Sequence, residues 1–224
     1  MIRYSEQHID YKDISSVIKT LKSDFITTGP QIQKFEEKLS KKVNSKYSVV
    51  FNSATSALHS ACIALGLKKN DWLWTSANSF VASANCGLYC GAKIDFLDIE
   101  LETFNIDLKK LEIKLQKAKK KLLPKIIVPV VFAGQSYDRD RLIILSKKYK
   151  FKILEDASHA LGAKYKNKSV GSCRDIITVF SFHPVKMITT GEGGSAHTSN
   201  KRYYNIMKSV SSHGIIRKKK KLNY

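Results

Sequence analysis

Ser181-Phe182-His183-Pro184-Val185-Lys186-Met187-Ile188-Thr189-Thr190-Gly191-Glu192-Gly193-Gly194 sets one lysine between a hydroxyl five residues upstream and a glycine-rich turn just downstream. The apolar run Ile176 to Phe180 before it predicts a strand, and a short strand is expected near Gly194 to Thr198 after it. Thirty residues before the lysine, Phe151-Lys152-Ile153-Leu154 reads as a buried strand that runs into Glu155-Asp156-Ala157. Open α/β sheets gather ligand contacts at the carboxyl ends of their parallel strands, so Asp156 stands where a ligand would meet it.

Further out, helix and strand patterns alternate along the chain. Asp10 to Leu21 and Gln31 to Val43 have helical apolar spacing, the second opened by Gly29-Pro30, where proline suits a helix start. A strand Tyr47 to Phe51 is followed by Asn52-Ser53-Ala54-Thr55-Ser56, and then Ala57, Leu58, Ala61, Cys62 and Leu65 recur at helical spacing. A helix Val81 to Tyr89, a strand Lys93 to Leu97 and a lysine-rich amphipathic helix near Leu108 to Leu122 come next. Strand Ile126 to Val131 leads to Phe132-Ala133-Gly134-Gln135-Ser136, and a helix Arg139 to Tyr149 precedes the Asp156 strand. Such alternation predicts an α/β fold with a mainly parallel sheet covered by helices on both faces. With no linker or internal repeat, residues 1–224 read as one domain.

The candidate site residues suit one cofactor. Pyridoxal 5'-phosphate needs a lysine for the imine, an acid against its pyridine nitrogen and an anchor for its phosphate. Lys186 has few charged neighbours in sequence, and desolvation there would lower its amine pKa and expose a nucleophilic lone pair. Asp156 is the candidate acid. A strand, a hydroxyl-rich turn and a helix N-terminus at Ser53 and Ala54 make an anion site, because free backbone N–H groups and the helix dipole face the ligand. Ser181 could add a hydroxyl, and Phe80 a ring to stack on the cofactor's face. Each residue alone has a plainer reading: a strand-end aspartate is often a helix cap, a lone lysine is usually solvated, and Ser-Ala-Thr-Ser can simply start a helix.

Five ordered motifs are similar to the DegT/DnrJ/EryC1/StrS sugar aminotransferases. They are Ile26-Thr27-Thr28-Gly29-Pro30, Asn52 to Leu58, Phe104-Asn105-Ile106-Asp107, Glu155 to Gly162 and Phe180 to Lys186. The resemblance implies the type I aminotransferase fold, with Lys186 binding the cofactor covalently and Asp156 as its ring-nitrogen partner. Ser53, Ala54 and Ser181 would contact the phosphate, Phe80 would stack, and His159 would lie near the ring oxygen. Relatives that dehydrate their substrate have histidine in place of this lysine, so the implied reaction is transamination. Tyr4 to Asp10, Asn52 to His59 and Ser211 to Ile215 most resemble the pseudaminic-acid branch. That branch implies UDP-4-keto-6-deoxy-N-acetyl-altrosamine as amino acceptor, glutamate as donor and a homodimer. A sibling enzyme acting on another nucleotide keto sugar remains open, as does a truncated remnant that only binds cofactor or polyanion. The family's Thr-Pro pair is replaced here by Trp74-Thr75-Ser76-Ala77-Asn78, and its C-terminal small domain is expected to be missing, as in a fragment.

Composition narrows the other classes. Apolar residues at 43% and charged residues at 26% suit a globular domain, and there is no run of eighteen apolar residues. No signal-peptide pattern opens the chain, so a cytoplasmic protein without a membrane partner is expected. Thirty-nine basic against nineteen acidic residues give a net charge of +20, with lysine clusters at Lys117 to Lys121 and Arg217 to Lys221. That field would draw polyanions at low salt and could help attract a nucleotide diphosphate. Zinc-finger spacing, aromatic RNA-binding signatures and a helix-turn-helix are all missing, so specific nucleic-acid recognition is not expected. Cys62, Cys86, Cys90 and Cys173 have no metal-ligand spacing and read as small buried thiols, and His59, His183 and His197 read as structural.

Overall fold

Short apolar runs of three to six residues, most of them alternating with helices, build this chain as a layered sheet. The structure, a computed structural model, describes residues 5–215. Tyr4 and the basic cluster Arg217 to Lys221 lie outside the described residues. The main strands are β1 (Tyr47–Phe51), β2 (Trp72–Ser76), β3 (Lys93–Leu97), β4 (Ile126–Val128), β5 (Lys152–Asp156), β8 (Ile176–Ser181) and β9 (Gly194–Thr198). A small hairpin, β6 (Lys164–Tyr165) with β7 (Lys168–Ser169), stands apart from them. The seven strands are ordered β1-β9-β8-β5-β4-β2-β3, and among them only β9 runs antiparallel to its neighbours.

Helices α1 (Tyr11–Leu21), α2 (Pro30–Val43), α3 (Ala54–Ala64), α4 (Ala82–Leu88), α5 (Leu108–Lys117), α6 (Arg139–Tyr149) and α7 (Lys201–Val210) complete the described elements. The strands alternate between two cores, as a period of two requires. Trp74, Ile127, Ile153, Ile176 and Phe180 pack in the core with Leu39, Leu111 and Leu142 from α2, α5 and α6. Leu73, Ile126, Leu154, Ile177 and Val179 pack in the other with Leu58, Cys86 and Met207 from α3, α4 and α7. The α/β class and the mainly parallel sheet are as the sequence predicts.

Three local differences have physical causes. The helix expected over 108–122 stops at Lys117: Ala118 turns extended (ψ 132°), and a short 3-10 turn at Lys120–Leu122 leads to an extended Leu123. Pro124 follows, and proline disfavours a helical predecessor. The strand expected over 126–131 ends at Val128 because Pro129 has no N–H for the ladder; Val130 rejoins through a single bridge to Asp156. Helix α1 forms with a capping box on Asp10 but buries none of its residues, leaving Val17 and Leu21 59% and 65% exposed. Strand β2, the β6–β7 hairpin and α7 are additions to the elements expected from sequence.

Candidate active site

Parallel pairing puts the carboxyl ends of β1, β8, β5 and β2 on one edge of the sheet, together with the first residue of antiparallel β9. Gly194 pairs with Phe51 on one side and Ser181 on the other. A Cβ at Gly194 would lie 2.4 Å from the Ala54 nitrogen and 2.6 Å from its Cα, so the Ser53-Ala54 turn rests directly on this glycine. Ser53 is the extended N-cap of α3, its Oγ accepting from the Ser56 amide at 3.1 Å. Thus the α3 N-terminus and the Ser181 position flank one glycine, and a positive dipole end faces that edge.

Asp156 ends β5 and is 3% exposed. Its Oδ2 accepts from Ser83 Oγ at 2.6 Å, and its Oδ1 from Ser158 Oγ at 2.6 Å and the Ser158 amide at 3.2 Å. All these donors are neutral. Ser83 is itself joined to Ser79 (Oγ···Oγ 2.5 Å), so the first turn of α4 is drawn to Asp156. Phe80 immediately precedes that turn; its carbonyl accepts from the Ser83 amide, and the residue is 74% exposed.

Lys186 lies in the loop that joins β8 to β9. The loop is closed at its base by Phe182 N–H to the Gly193 carbonyl (2.9 Å), and the Lys186 amide donates to the His183 carbonyl (2.9 Å). Burial lowers the amine's pKa from the ordinary lysine range, and the charge of Asp156 partly opposes this. His159 is half-buried; burial lowers its pKa, the Lys186 charge adds to that, and Asp156 pulls the other way. Lys186, Asp156 and His159 therefore share one electrostatic neighbourhood. His159 also meets the Phe132 ring edge-on, with centroids 6.2 Å apart.

Three residues of this constellation carry no site role in the sequence reading: Ser83, Ser158 and Gly194. Ser158 was open to inference, since an aspartate followed two residues later by serine commonly forms a local side-chain turn. Ser83 was not, because its bond to Asp156 spans 73 residues. The other histidines stay outside the cluster: His183 is exposed, His59 packs against Tyr89, and His197 is fully buried between Ser195 and Ser45. Cys62 and Cys86 are buried thiols as expected, whereas Cys90 and Cys173 are half-buried. Among the described residues no group of histidine, cysteine and carboxylate side chains could hold a metal ion, and no helix is long and apolar enough to cross a membrane.

Chemically, the edge offers a half-buried amine with a lowered pKa, a buried carboxylate bonded only by neutral donors, and a helix N-terminus seated on a glycine. This donor set fits a ligand with a carbonyl for the amine, a cationic ring N–H for the carboxylate and an anionic group for the helix, as pyridoxal phosphate has.

Comparison with known proteins agrees. The sequence profile of the DegT/DnrJ/EryC1/StrS aminotransferase family matches residues 7–224. The UDP-4-amino-4,6-dideoxy-N-acetyl-beta-L-altrosamine transaminase of Campylobacter jejuni strain 81-176 is 46% identical over 219 residues, which are 98% of this chain and 57% of that protein. Among solved structures, Helicobacter pylori PseC, an aminotransferase of pseudaminic acid biosynthesis, superposes with a TM-score of 0.87 at 37% identity, covering 96% of this chain and 57% of its own. Spr1654 of Streptococcus pneumoniae, solved in a PLP form, gives 0.86 at 35% identity, covering 95% and 58%. The chain thus spans somewhat more than half the length of the relatives it matches.

Proposed function

This chain belongs to the DegT/DnrJ/EryC1/StrS aminotransferase family, and from that premise we propose that its protein moves an amino group from glutamate to the C4 ketone of a nucleotide-linked 4-keto-6-deoxy sugar, with pyridoxal phosphate as cofactor. The names of the similar proteins favour UDP-4-keto-6-deoxy-N-acetyl-altrosamine as acceptor and a place in pseudaminic acid biosynthesis. On this reading residues 1–224 are the cofactor-binding large domain, and the working enzyme is a cytoplasmic homodimer. The observation that carries the proposal is the buried Asp156 carboxylate, bonded only by neutral donors, on the sheet edge where the α3 N-terminus rests on Gly194 beside the Lys186 loop.

When bound, the cofactor supplies a carbonyl that condenses with amines and a ring that stores the electron pair left when a proton leaves carbon. The chain's residues do the rest. Lys186 Nζ, its pKa lowered by burial, would take the proton from the glutamate Cα. Glutamate leaves at the end of the first half as 2-oxoglutarate, with water supplying its keto oxygen; in the second half the sugar's ketone oxygen leaves as water and Lys186 would deliver a proton to C4, which keeps the amine. Asp156 accepts the ring N–H and keeps that proton in place. Ser83 and Ser158 hold the carboxylate's rotamer. The amides opening α3, with Ser53, Ala54 and Ser181, would hold the phosphate, Phe80 would stack on the ring, and His159 would lie near the ring oxygen.

The test is to add pyridoxal phosphate to the purified protein, reduce with borohydride and map the labelled peptide. A visible absorbance band and an adduct on Lys186 are expected; an adduct confined to other lysines would overturn the site. Amination assays with UDP-linked against dTDP-linked keto sugars then separate the proposed acceptor from that of a sibling enzyme.

A further inference from the structure

Beside the amine and the carboxylate, the same edge of the sheet opens into a recess of about 650 Å³ lined by Ala77, Asn78, Asp98, Ile99, Phe104 and Phe132. It lies past the carboxyl ends of β2 and β3, where the Ala77 amide donates to the Leu97 carbonyl at 2.8 Å. Two aromatic rings form one wall: Phe104 and Phe132 tilt together at 5.9 Å, and Phe132 in turn meets His159. Phe132 thereby stands between the recess and His159.

The wall is built at a cost in backbone strain. Phe104 has φ 56° and Ala133, next to Phe132, has φ 50°. A bulky residue in the left-handed region is uncommon and strained. Burial does not offset this for Phe104, whose ring is 48% exposed. Asn105, 1% exposed, locks the geometry: its Nδ2 donates to the Gln135 carbonyl at 2.9 Å and its Oδ1 accepts from the Phe132 amide at 3.1 Å. One buried amide thus clamps both ring-bearing loops. A strained, solvent-facing ring held by a buried clamp is arranged for an external partner.

We propose that Phe104 and Phe132 form the subsite for the amino acceptor, packing against the apolar face and methyl groups of a 6-deoxy-N-acetylhexosamine while Asn78 and Asp98 meet its polar groups. The proposal rests on the sugar-aminotransferase reading above. Aromatic faces suit the C–H side of a deoxy sugar, and Asp98 is held at the recess by its ion pair with Lys110. Glutamate, smaller and bearing two carboxylates, gains little from this wall. The two rings therefore select the acceptor in the second half of the exchange.

Phe104→Gly tests this, because glycine accepts φ 56° freely and removes the ring. In the full-length, cofactor-loaded protein, stopped-flow spectra follow the glutamate half-reaction and the keto-sugar half-reaction separately. The acceptor half-reaction is expected to slow at least tenfold more than the donor half-reaction, with a melting temperature no lower than the parent's. Calorimetry with UDP-N-acetylglucosamine as probe is expected to show affinity weakened to a similar degree, and Phe104→Tyr should restore most of it. Equal slowing of both halves, no slowing, or a lower melting temperature without acceptor selectivity would each overturn the proposal. A parent protein that fails to react with glutamate at all would instead defeat the underlying functional reading.

Discussion

Glu155 and Asp156 are adjacent carboxylates on β5, both essentially removed from water at 0% and 3% exposure, and they are held in opposite ways. Glu155 points to the side where Tyr137 OH (2.9 Å), Arg139 Nε and NH2 (3.2 and 2.9 Å) and Thr178 Oγ1 (2.9 Å) converge on it. Burial, and then the charge of Glu155, push the Tyr137 phenol's pKa well up, so it stays a proton donor. Asp156 points to the other side and receives only two serine hydroxyls and an amide. A buried carboxylate without a cation costs several kcal/mol unless something positive arrives to compensate it. Glu155 has its cation within the fold, and on the proposed reading Asp156 meets its own in the cofactor's ring N–H. Two neighbours of similar burial thus differ in the charge of their partners.

The largest effect that would sharpen this contrast is expected at Lys186. Lys186→Ala should reduce turnover of the full-length enzyme by at least about 10³-fold while leaving its melting temperature near the parent's, since both nucleophile and base are lost. Appreciable residual transamination would move the chemistry elsewhere. Next come the two carboxylates, whose substitutions should separate cleanly. Asp156→Asn is expected to lower kcat by roughly 10²-fold with little loss of stability. Glu155→Gln should cost about 3–5 kcal/mol in denaturant unfolding, because Arg139 is left buried without its counter-charge. Single-turnover rates of the folded fraction of Glu155→Gln should stay near the parent's, and if both variants fail in the same way the contrast is wrong.

A smaller effect is expected at Gly194, which contacts neither carboxylate. A Cβ there collides with the Ala54 backbone, so Gly194→Ala should weaken cofactor binding by about 10- to 100-fold, as overpacking of about 1–3 kcal/mol implies. Equilibrium titration of the cofactor by absorbance would read this directly. The smallest and most gradual effect belongs to His197, a buried polar group remote from chemistry. Burial lowers its pKa from 6.5 to about 3. The unfolded chain then binds a proton that the folded chain refuses, so its contribution is complete above pH ~6.5 and is lost as pH falls towards about 3, by about 1.4 kcal/mol per unit. His197→Gln should flatten that part of the stability profile; an unchanged slope would assign the acid sensitivity to other groups.

Much of this was legible in the chain itself. Tyr47 to Phe51, Lys93 to Leu97, Gly194 to Thr198 and Arg139 to Tyr149 lie where their local patterns place them. Short apolar runs, helical spacing and caps act over a few residues, and a sequence displays them openly. Candidate chemistry was legible in the same way, as residue types at fixed offsets from strand ends. Tertiary structure alone decided which strands are neighbours, including the insertion of antiparallel β9 between β1 and β8 that brings Gly194 under Ala54. It also decided that Ser83 reaches Asp156 across 73 residues and that Arg139 reaches Glu155. The physical reason is that local spacing encodes elements, whereas partner choice between elements depends on the packing of the whole sheet and the burial of its charges.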